Sequence, residues 1–143
     1  MVTVGPEVAP PADVRLFQSI VYATDFTPEA ARAAPFAFSF AQDTQAHVYL
    51  CHVLRNSDGL GHSDSEELTE KFNAKLRELI PEVARELCEP ECVVDHGYAA
   101  DGILLLAHRV GADLIVLGTR KSSHWFGGKA GIAYDVVRAA NVR

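Results

Sequence analysis

A polar segment that carries four glycines lies near the carboxyl end of the chain. Residues 117–135 read LGTRKSSHWFGGKAGIAYD; the apolar run ADLIVL leads into this segment and a helical pattern follows it. Glycine permits positive φ and a close approach of backbone N–H groups to anionic oxygen, so glycines between a buried strand and a helix are typical of phosphate-binding loops. Lys121 and Ile132 depart from this chemistry, because such loops favour smaller or more polar residues. The segment is therefore either a phosphate loop or a plain connection.

A carboxylate ends another apolar run. Asp25 closes FQSIVYATD, which has the length and the β-branched content of a buried strand. Its side chain can accept hydrogen bonds from a ribose, or it can cap the helix that starts at TPEA. The sequence leaves both interpretations open.

Histidines and cysteines offer little for a metal site or for covalent catalysis. His52, His96 and His124 all fall near predicted strand ends, but no pair has the spacing of a metal-binding motif. Cys88 and Cys92 lack the second ligand pair of a structural zinc site. The chain has no nucleophile elbow and no Walker lysine. We predict no metal and no catalytic residue. We expect a protein that is not an efficient enzyme, although slow hydrolysis of a bound ligand is compatible with this sequence.

Composition and charge exclude several classes of protein. The 143 residues fit one domain with its own core. The net charge of −6, with no Lys or Arg cluster, opposes nucleic-acid binding. No apolar run approaches the roughly 20 residues of a membrane span, and the N-terminus has no secretory pattern. The three cysteines follow no disulfide framework. We therefore expect a cytoplasmic protein that does not act at a membrane.

Strands and helices alternate along the chain. Thr27 and Pro28 have the types of an N-cap and a first helical residue, and Pro35 is expected to kink or interrupt that helix. Ser63 with Glu66 resembles a capping box that opens the second helix. That helix carries one apolar face and stops at a proline. The predicted strands are 17–25, 46–54, 91–97 and 112–118; the predicted helices start at residue 27, near residue 63, at residue 99 and at residue 131; the apolar face is Leu68, Phe72, Leu76 and Leu79.

Continuously apolar strands between helices predict a parallel sheet with helices on both faces. The fold class is therefore a doubly wound α/β domain of Rossmann type. We place it at residues 16–143, after a flexible lead-in of residues 1–15. Such sheets bind ligands beyond the carboxyl ends of their strands. The positions of interest are residues 23–27, Leu54 onward, residues 96–98, and Gly118 onward.

Four segments, in this order and spacing, resemble the universal stress protein family. They are IVYATDFTPEA, AHVYLCHVL, HGYAADGILLLAHRVGADLIVLGTR and GIAYDVVRAA, and the resemblance runs from about Leu16 to Ala140. It implies a fold like that of the adenine nucleotide alpha hydrolases. It also implies a regulatory role in stress response, with an adenine nucleotide, ATP with Mg²⁺, as the ligand.

The resemblance also assigns site residues. Nucleotide-binding members carry glycine, two residues, glycine, nine residues, then glycine and Ser or Thr. This chain keeps the spacing, but Lys121 replaces the middle glycine and Ile132 replaces the hydroxyl residue. Asp25 would face the adenosine, with Ala23 and Thr24 lining that edge. The remaining assignments are Val48 and Leu117 near the base, and Gly118, Arg120 and Gly131 at the phosphates.

Assembly is a further expectation from the family. Its members close the sheet with a fifth strand that pairs two copies in many dimers, whereas this sequence stops at Arg143. Either the sequence is incomplete at this end, or another chain covers the edge left by the fourth strand, and we expect a homodimer. The alternative function is an interaction module of the same fold that needs no nucleotide and contacts a partner through Trp125 and Phe126.

Overall fold

A computed structural model describes residues 17–55 and 62–118, together with residues 132, 136 and 137. Within these ranges strands and helices alternate, as the sequence predicts, except that two helices lie between the second and third strands. The elements are β1 (Ser19–Ala23), α1 (Pro28–Thr44), β2 (His47–Leu54), α2 (His62–Glu78), α3 (Glu82–Leu87), β3 (Glu91–His96), α4 (Ala99–Val110) and β4 (Leu114–Leu117).

The described strands form one parallel sheet in the order β3-β2-β1-β4. The chain fills the sheet from β1 through β2 to β3, and then crosses to the other side of β1 for β4. The strand order therefore reverses between β1 and β4, which is where doubly wound sheets open a crevice for ligands. This confirms the predicted fold class.

Two hydrophobic clusters cover the two faces of this sheet. Ile20, Tyr22 and Val48 point to one face, where they pack with α1 and with the apolar residues of α2 and α3. Val21 and Cys51 point to the other face, where they pack with α4 and with Val136. All five residues of β1 are buried, because this central strand has helices on both sides.

The predicted ends of two helices are confirmed. Thr27 is the N-cap of α1 and accepts a hydrogen bond from the amide of Ala30, and Pro28 is the first helical residue. The helix is not broken at Pro35, which lies exposed inside it. The other helix, α4, ends at Gly111, whose φ of +61° suits the left-handed C-cap position.

The predicted start of the second helix is wrong, and a short helix that follows it was not predicted. The second helix begins at His62, so Ser63 lies inside its first turn rather than before it. After Pro81 the chain forms the extra short helix α3, because Pro81 takes an extended conformation that can precede a helix. The predicted apolar face does meet the core. Leu76 is fully buried, and the rest of that face is partly buried.

Polar contacts fix the central strand at both ends. The Asp113 carboxylate accepts hydrogen bonds from the amides of Gln18 and Ser19, at 2.7 and 3.0 Å, and thereby ties the segment before β4 to the start of β1. Near the carboxyl end, the buried Tyr22 hydroxyl donates to the carbonyl of Ala30 at 2.8 Å. The second contact holds α1 against β1 beside the crevice.

Three predictions fall outside the described residues. They are the lead-in of residues 1–15, the glycine segment beyond Gly118, and the end of the chain. Of the helix predicted from residue 131, the structure describes Ile132, Val136 and Val137, and all three are helical. In the described part of the chain, no helix has the length and apolar character that a bilayer span requires.

Candidate functional site

A cavity of about 240 Å³ opens at the carboxyl edge of the sheet, where the strand order reverses. We call it the site cavity. It contains groups from the ends of β1, β2 and β4, from the starts of α1 and α4, and from residue 132. The lining residues are Ala23, Thr24, Asp25, Ala30, Cys51, His52, Val53, Arg55, Ala99, Ile103, Leu117, Gly118 and Ile132.

Six of the ten site residues predicted from the sequence line this cavity. Arg120, Lys121 and Gly131 lie outside the described residues. Val48 is described and is not at the cavity. The six are Ala23, Thr24, Asp25, Leu117, Gly118 and Ile132.

The position of Val48 follows from the alternation of side chains along β2. Val48 pairs with Ile20 near the start of the strand and is fully buried on the α1 face. Val53 lies near the end of β2, packs on the α4 face and lines the cavity. The positions of the two valines differ by an odd number, so their side chains point to opposite faces. Val53 therefore occupies the place on β2 that the prediction gave to Val48.

Asp25 is exposed at the mouth of the cavity and supports the turn that leads into α1. Its Oδ1 accepts hydrogen bonds from the amide of Thr27, at 3.0 Å, and from the Thr27 hydroxyl. Thr27, rather than Asp25, caps the helix. Thr27 therefore has the capping role that the sequence left open for Asp25. The Asp25 carboxylate lies at the cavity, where it can contact a ligand.

The carboxyl end of β2 contributes residues that the sequence analysis did not assign to the site. Cys51, His52, Val53 and Arg55 all line the cavity. This end of β2 lies beside Asp25 for two reasons. Cys51 pairs with Ala23, and its carbonyl accepts a hydrogen bond from the amide of Thr24 at 2.9 Å. These residues could have been assigned only from the strand register. The sequence predicts that β2 ends near residue 54, but it does not show which residues of β2 lie opposite β1.

Gly118 follows β4 and lies directly against the first turn of α1. A Cβ atom at this position would lie 2.3 Å from the Ala30 Cα and 2.4 Å from the Glu29 carbonyl oxygen. Both are backbone atoms, so neither can rotate away. The glycine is required here for close packing of strand against helix, which leaves its backbone on the cavity wall.

Ile132 also lines the cavity and is 41% exposed. It stands at the position where the pattern of nucleotide-binding relatives has a hydroxyl. An apolar side chain cannot donate a hydrogen bond to a phosphate oxygen, so this part of the wall lacks one donor. The structure therefore places the departure seen in the sequence at the cavity itself.

The Cys51 thiol lines this cavity but is almost fully buried. Burial raises its pKa from 9.0 to about 12, because the thiolate would be removed from water; the nearby Asp95 also raises this pKa, and Arg109 opposes the shift. Since the thiolate is the nucleophile, a thiol with this pKa reacts little near neutral pH.

We expect Cys51 to resist alkylation in the native protein. Iodoacetamide at pH 8 should label the part-exposed Cys92 first and Cys51 last, whereas in urea all three cysteines should react alike; peptide mass spectrometry measures each rate. Above pH 9 the unfolded chain loses the Cys51 proton and the folded chain keeps it, so stability should fall as pH rises from about 9 towards about 12. Cys51→Ala should remove that part of the alkaline loss. Fast native labelling of Cys51 would contradict the assignment.

A wider cleft of about 520 Å³ lies near the opposite, amino edge of the sheet. It is lined by the imidazole of His47 and by exposed side chains of both charges, such as Arg85 and Glu91. None of the predicted site residues is part of it. The smaller site cavity is the stronger candidate, because it lies at the reversal of strand order and contains the predicted residues. Among the described residues, no group of three or more His, Cys, Asp or Glu side chains is arranged to hold a metal ion.

Comparison with known protein families identifies the chain. The model of the universal stress protein family matches residues 16–140. The chain belongs to the universal stress protein family. A comparison with curated proteins gives no significant match.

Solved structures of universal stress proteins share this fold. UspA from Lactobacillus plantarum is 22% identical and has a TM-score of 0.66, with 90% of this chain and 95% of that chain covered. A universal stress protein from Archaeoglobus fulgidus in complex with dAMP is 25% identical and has a TM-score of 0.59, with 88% and 94% covered. A further universal stress protein, in complex with cAMP, is 20% identical and has a TM-score of 0.62, with 86% of this chain and 90% of that chain covered. The fold of this universal stress protein is therefore that of its family.

Proposed function

We propose that this universal stress protein is a regulatory protein that binds an adenine nucleotide in the site cavity. One observation carries the proposal: the Asp25 carboxylate and the Gly118 backbone share a cavity at the reversal of strand order. A carboxylate beside a glycine backbone suits a ligand with hydroxyl donors at one end and anionic oxygen at the other. A nucleotide has this combination.

The structural relatives support the chemical class of the ligand. The Archaeoglobus fulgidus protein was solved with dAMP, and a second relative was solved with cAMP. Both ligands join an adenine to a sugar and a phosphate. The apolar lining of the site cavity, which includes Val53, Ile103 and Leu117, offers a surface for the base.

Individual groups of the cavity have distinct roles in this proposal. Asp25 accepts hydrogen bonds from ribose hydroxyls, and the guanidinium of Arg55 at the rim attracts an anionic ligand. The phosphates lie towards Gly118 and the segment that follows it. When ATP is the ligand, Mg²⁺ neutralises phosphate charge. The role of the protein is to bind the nucleotide, not to catalyse a reaction on it.

Regulation by such a protein would act in the cytoplasm through contact with a second copy or with a partner protein. In the described sheet β4 is an edge strand that pairs with β1. A strand edge presents backbone groups on which another strand can pair. A homodimer through this edge is therefore the form in which we propose that the nucleotide signal is passed on.

Calorimetric titration of nucleotide-stripped protein tests the proposal. We expect adenosine, AMP, dAMP and Mg-ATP to bind, and GTP to bind more weakly because the apolar lining is assigned to adenine. Competition by dAMP against Mg-ATP would show that both use one site. The absence of binding by every adenine ligand would overturn the proposed function.

Restoring the family residues at the two departures in the glycine segment, Lys121 and Ile132, is expected to increase the affinity for a phosphate-bearing nucleotide. The double variant Lys121→Gly, Ile132→Ser restores a glycine and a hydroxyl donor, and one charge-assisted hydrogen bond is worth about 1.5–3 kcal/mol. We expect Mg-ATP to bind the double variant about tenfold more tightly or better. Adenosine, which has no phosphate, is the matched control, and its affinity should not change. An equal gain for both ligands would contradict a phosphate role for these positions.

The second candidate function is an interaction module of the same fold that needs no nucleotide. The observation that favours it is Ile132, an apolar side chain on the cavity wall. The same titration separates the two functions. Failure of the parent to bind, with binding gained by the double variant, would assign the parent to this second function.

A further inference from the structure

The turn between β1 and α1 carries Asp25 in an unusual backbone conformation. Phe26, the next residue, has a φ of +62°, in the left-handed region that bulky residues rarely adopt. Within the turn, the amide of Phe26 donates to Oγ1 of Thr24 at 3.0 Å, and the amide of Thr27 donates to the Asp25 carboxylate. A strained turn persists only when the surrounding structure holds it, so the neighbouring groups determine where Asp25 points.

β2 holds the first residue of this turn on both sides. The amide of Thr24 donates to the carbonyl of Cys51 at 2.9 Å. The carbonyl of Thr24 lies 2.8 Å from Nδ1 of His52. A carbonyl oxygen only accepts hydrogen bonds, so Nδ1 of His52 carries the hydrogen and donates it. This bond orients the peptide group that joins Thr24 to Asp25, which is the last link before the carboxylate.

The same imidazole packs against the far side of the turn. The rings of Phe26, His52 and Phe72 form an aromatic cluster. The His52 centroid is 4.8 Å from that of Phe26 and 4.6 Å from that of Phe72, and the two phenylalanine centroids are 5.6 Å apart. The ammonium of Lys75 lies 5.1 Å from the Phe72 centroid and 5.5 Å from that of Phe26. Phe72 and Lys75 belong to α2, so this helix reaches the turn through the aromatic cluster.

We propose that His52 is a positioning residue of the site cavity. Its Nδ1–H fixes the peptide group ahead of Asp25, and its ring joins the turn to α2. A phenylalanine would satisfy the ring contacts alone, and an asparagine would supply the hydrogen bond alone. The effect of His52 on ligand affinity rests on the proposed function, whereas its effect on the conformation of the turn is independent of any ligand.

Two single variants separate the two contacts of His52. His52→Phe keeps an aromatic ring and removes the donor, and His52→Asn keeps an N–H donor close to the Nδ1 position and removes the ring. The first readout is amide hydrogen exchange at Phe26 and Thr27 in the absence of ligand. The second readout is the affinity for dAMP.

Loss of the Nδ1–H donor of His52 is expected to change both readouts more than loss of its ring. In His52→Phe, exchange at Phe26 and Thr27 should rise about tenfold over the parent, with exchange in β3 unchanged, and dAMP should bind about tenfold more weakly, since one net hydrogen bond is lost. His52→Asn should return both values to within about threefold of the parent. Phe40→Leu, which alters the aromatic contact with Phe17 away from the cavity, is the control for a general loss of stability. It should leave both readouts unchanged.

The contribution of α2 is tested by Phe72→Leu, which leaves the donor of His52 in place. Exchange at Phe26 and Thr27 should rise by a smaller factor than in His52→Phe. This variant also decides the α2 link if His52→Phe does not fold.

Three results would overturn the positioning role. They are parent-like exchange in His52→Phe, an equal defect in His52→Asn and His52→Phe, and no change in Phe72→Leu. Failure of the parent to bind dAMP would refute the proposed function instead, and the exchange data would still decide the role of His52.

Discussion

Gly118→Ala is expected to lower the free energy of unfolding by about 3 kcal/mol, at the upper end of what overpacking a well-packed site costs. The added methyl carbon would lie 2.3–2.5 Å from the Cα and amide nitrogen of Ala30 and from the carbonyl oxygen of Glu29. All three are backbone atoms of α1, so the strand and the helix must separate. Separation widens the site cavity, and nucleotide affinity should fall with stability. Urea denaturation and calorimetric titration measure the two effects.

Gly111→Ala is the matched control for this substitution. Gly111 also has a structural role, as the C-cap of α4 with φ of +61°, but a Cβ atom there meets nothing within 4 Å. Gly111→Ala should lower the free energy of unfolding by about 1 kcal/mol, because alanine is disfavoured in the left-handed conformation. It should leave nucleotide affinity unchanged. Equal costs for the two alanines would mean that β4 does not pack on α1 as closely as the structure shows.

Asp25→Ala is expected to weaken adenine-nucleotide binding about tenfold to a hundredfold. A hydrogen bond to a charged group is worth about 1.5–3 kcal/mol, and the ribose hydroxyls would lose their carboxylate acceptor. The substitution also removes the acceptor of the Thr27 amide, so the turn loses a support. We therefore expect a small loss of stability as well, of about 1 kcal/mol.

Asp25→Asn separates these two effects. Its amide oxygen can still accept from the Thr27 amide, so stability should stay near that of the parent. The negative charge is absent, so affinity should fall nearly as far as in the alanine variant. An asparagine variant that binds like the parent would show that the carboxylate serves the turn and not the ligand.

The sequence predicted the parallel sheet and the region of the site because these depend on local signals. Long apolar runs between helical patterns determine the fold class, and Thr27 with Pro28 defines the start of α1. Helix α3 was missed because six residues, Glu82–Leu87, are too few to show helical periodicity. The start of α2 was misplaced because a capping pattern does not say whether the residues before it are already helical.

The assignment of Val48 shows what one sequence does not contain. Val48 and Val53 are equally apolar and lie in the same strand, so composition does not separate them. Only the pairing of β2 with β1 shows that Cys51 stands opposite Ala23, and that Val53 therefore lies farther towards the cavity. The role of His52 has the same origin, since its hydrogen bond to Thr24 joins residues that are 28 positions apart.

The sulfur of Cys51 sits on the wall of the site cavity, where an oxidant could in principle have switched ligand binding on and off. Peroxide sensing needs an accessible thiolate, and a thiol that is 1% exposed and has a pKa of about 12 supplies almost none at neutral pH. Oxidation of Cys51 is therefore not expected to alter the proposed binding of a nucleotide in this cavity. Under the proposed function, the protein would respond to its nucleotide ligand and not to oxidation at Cys51.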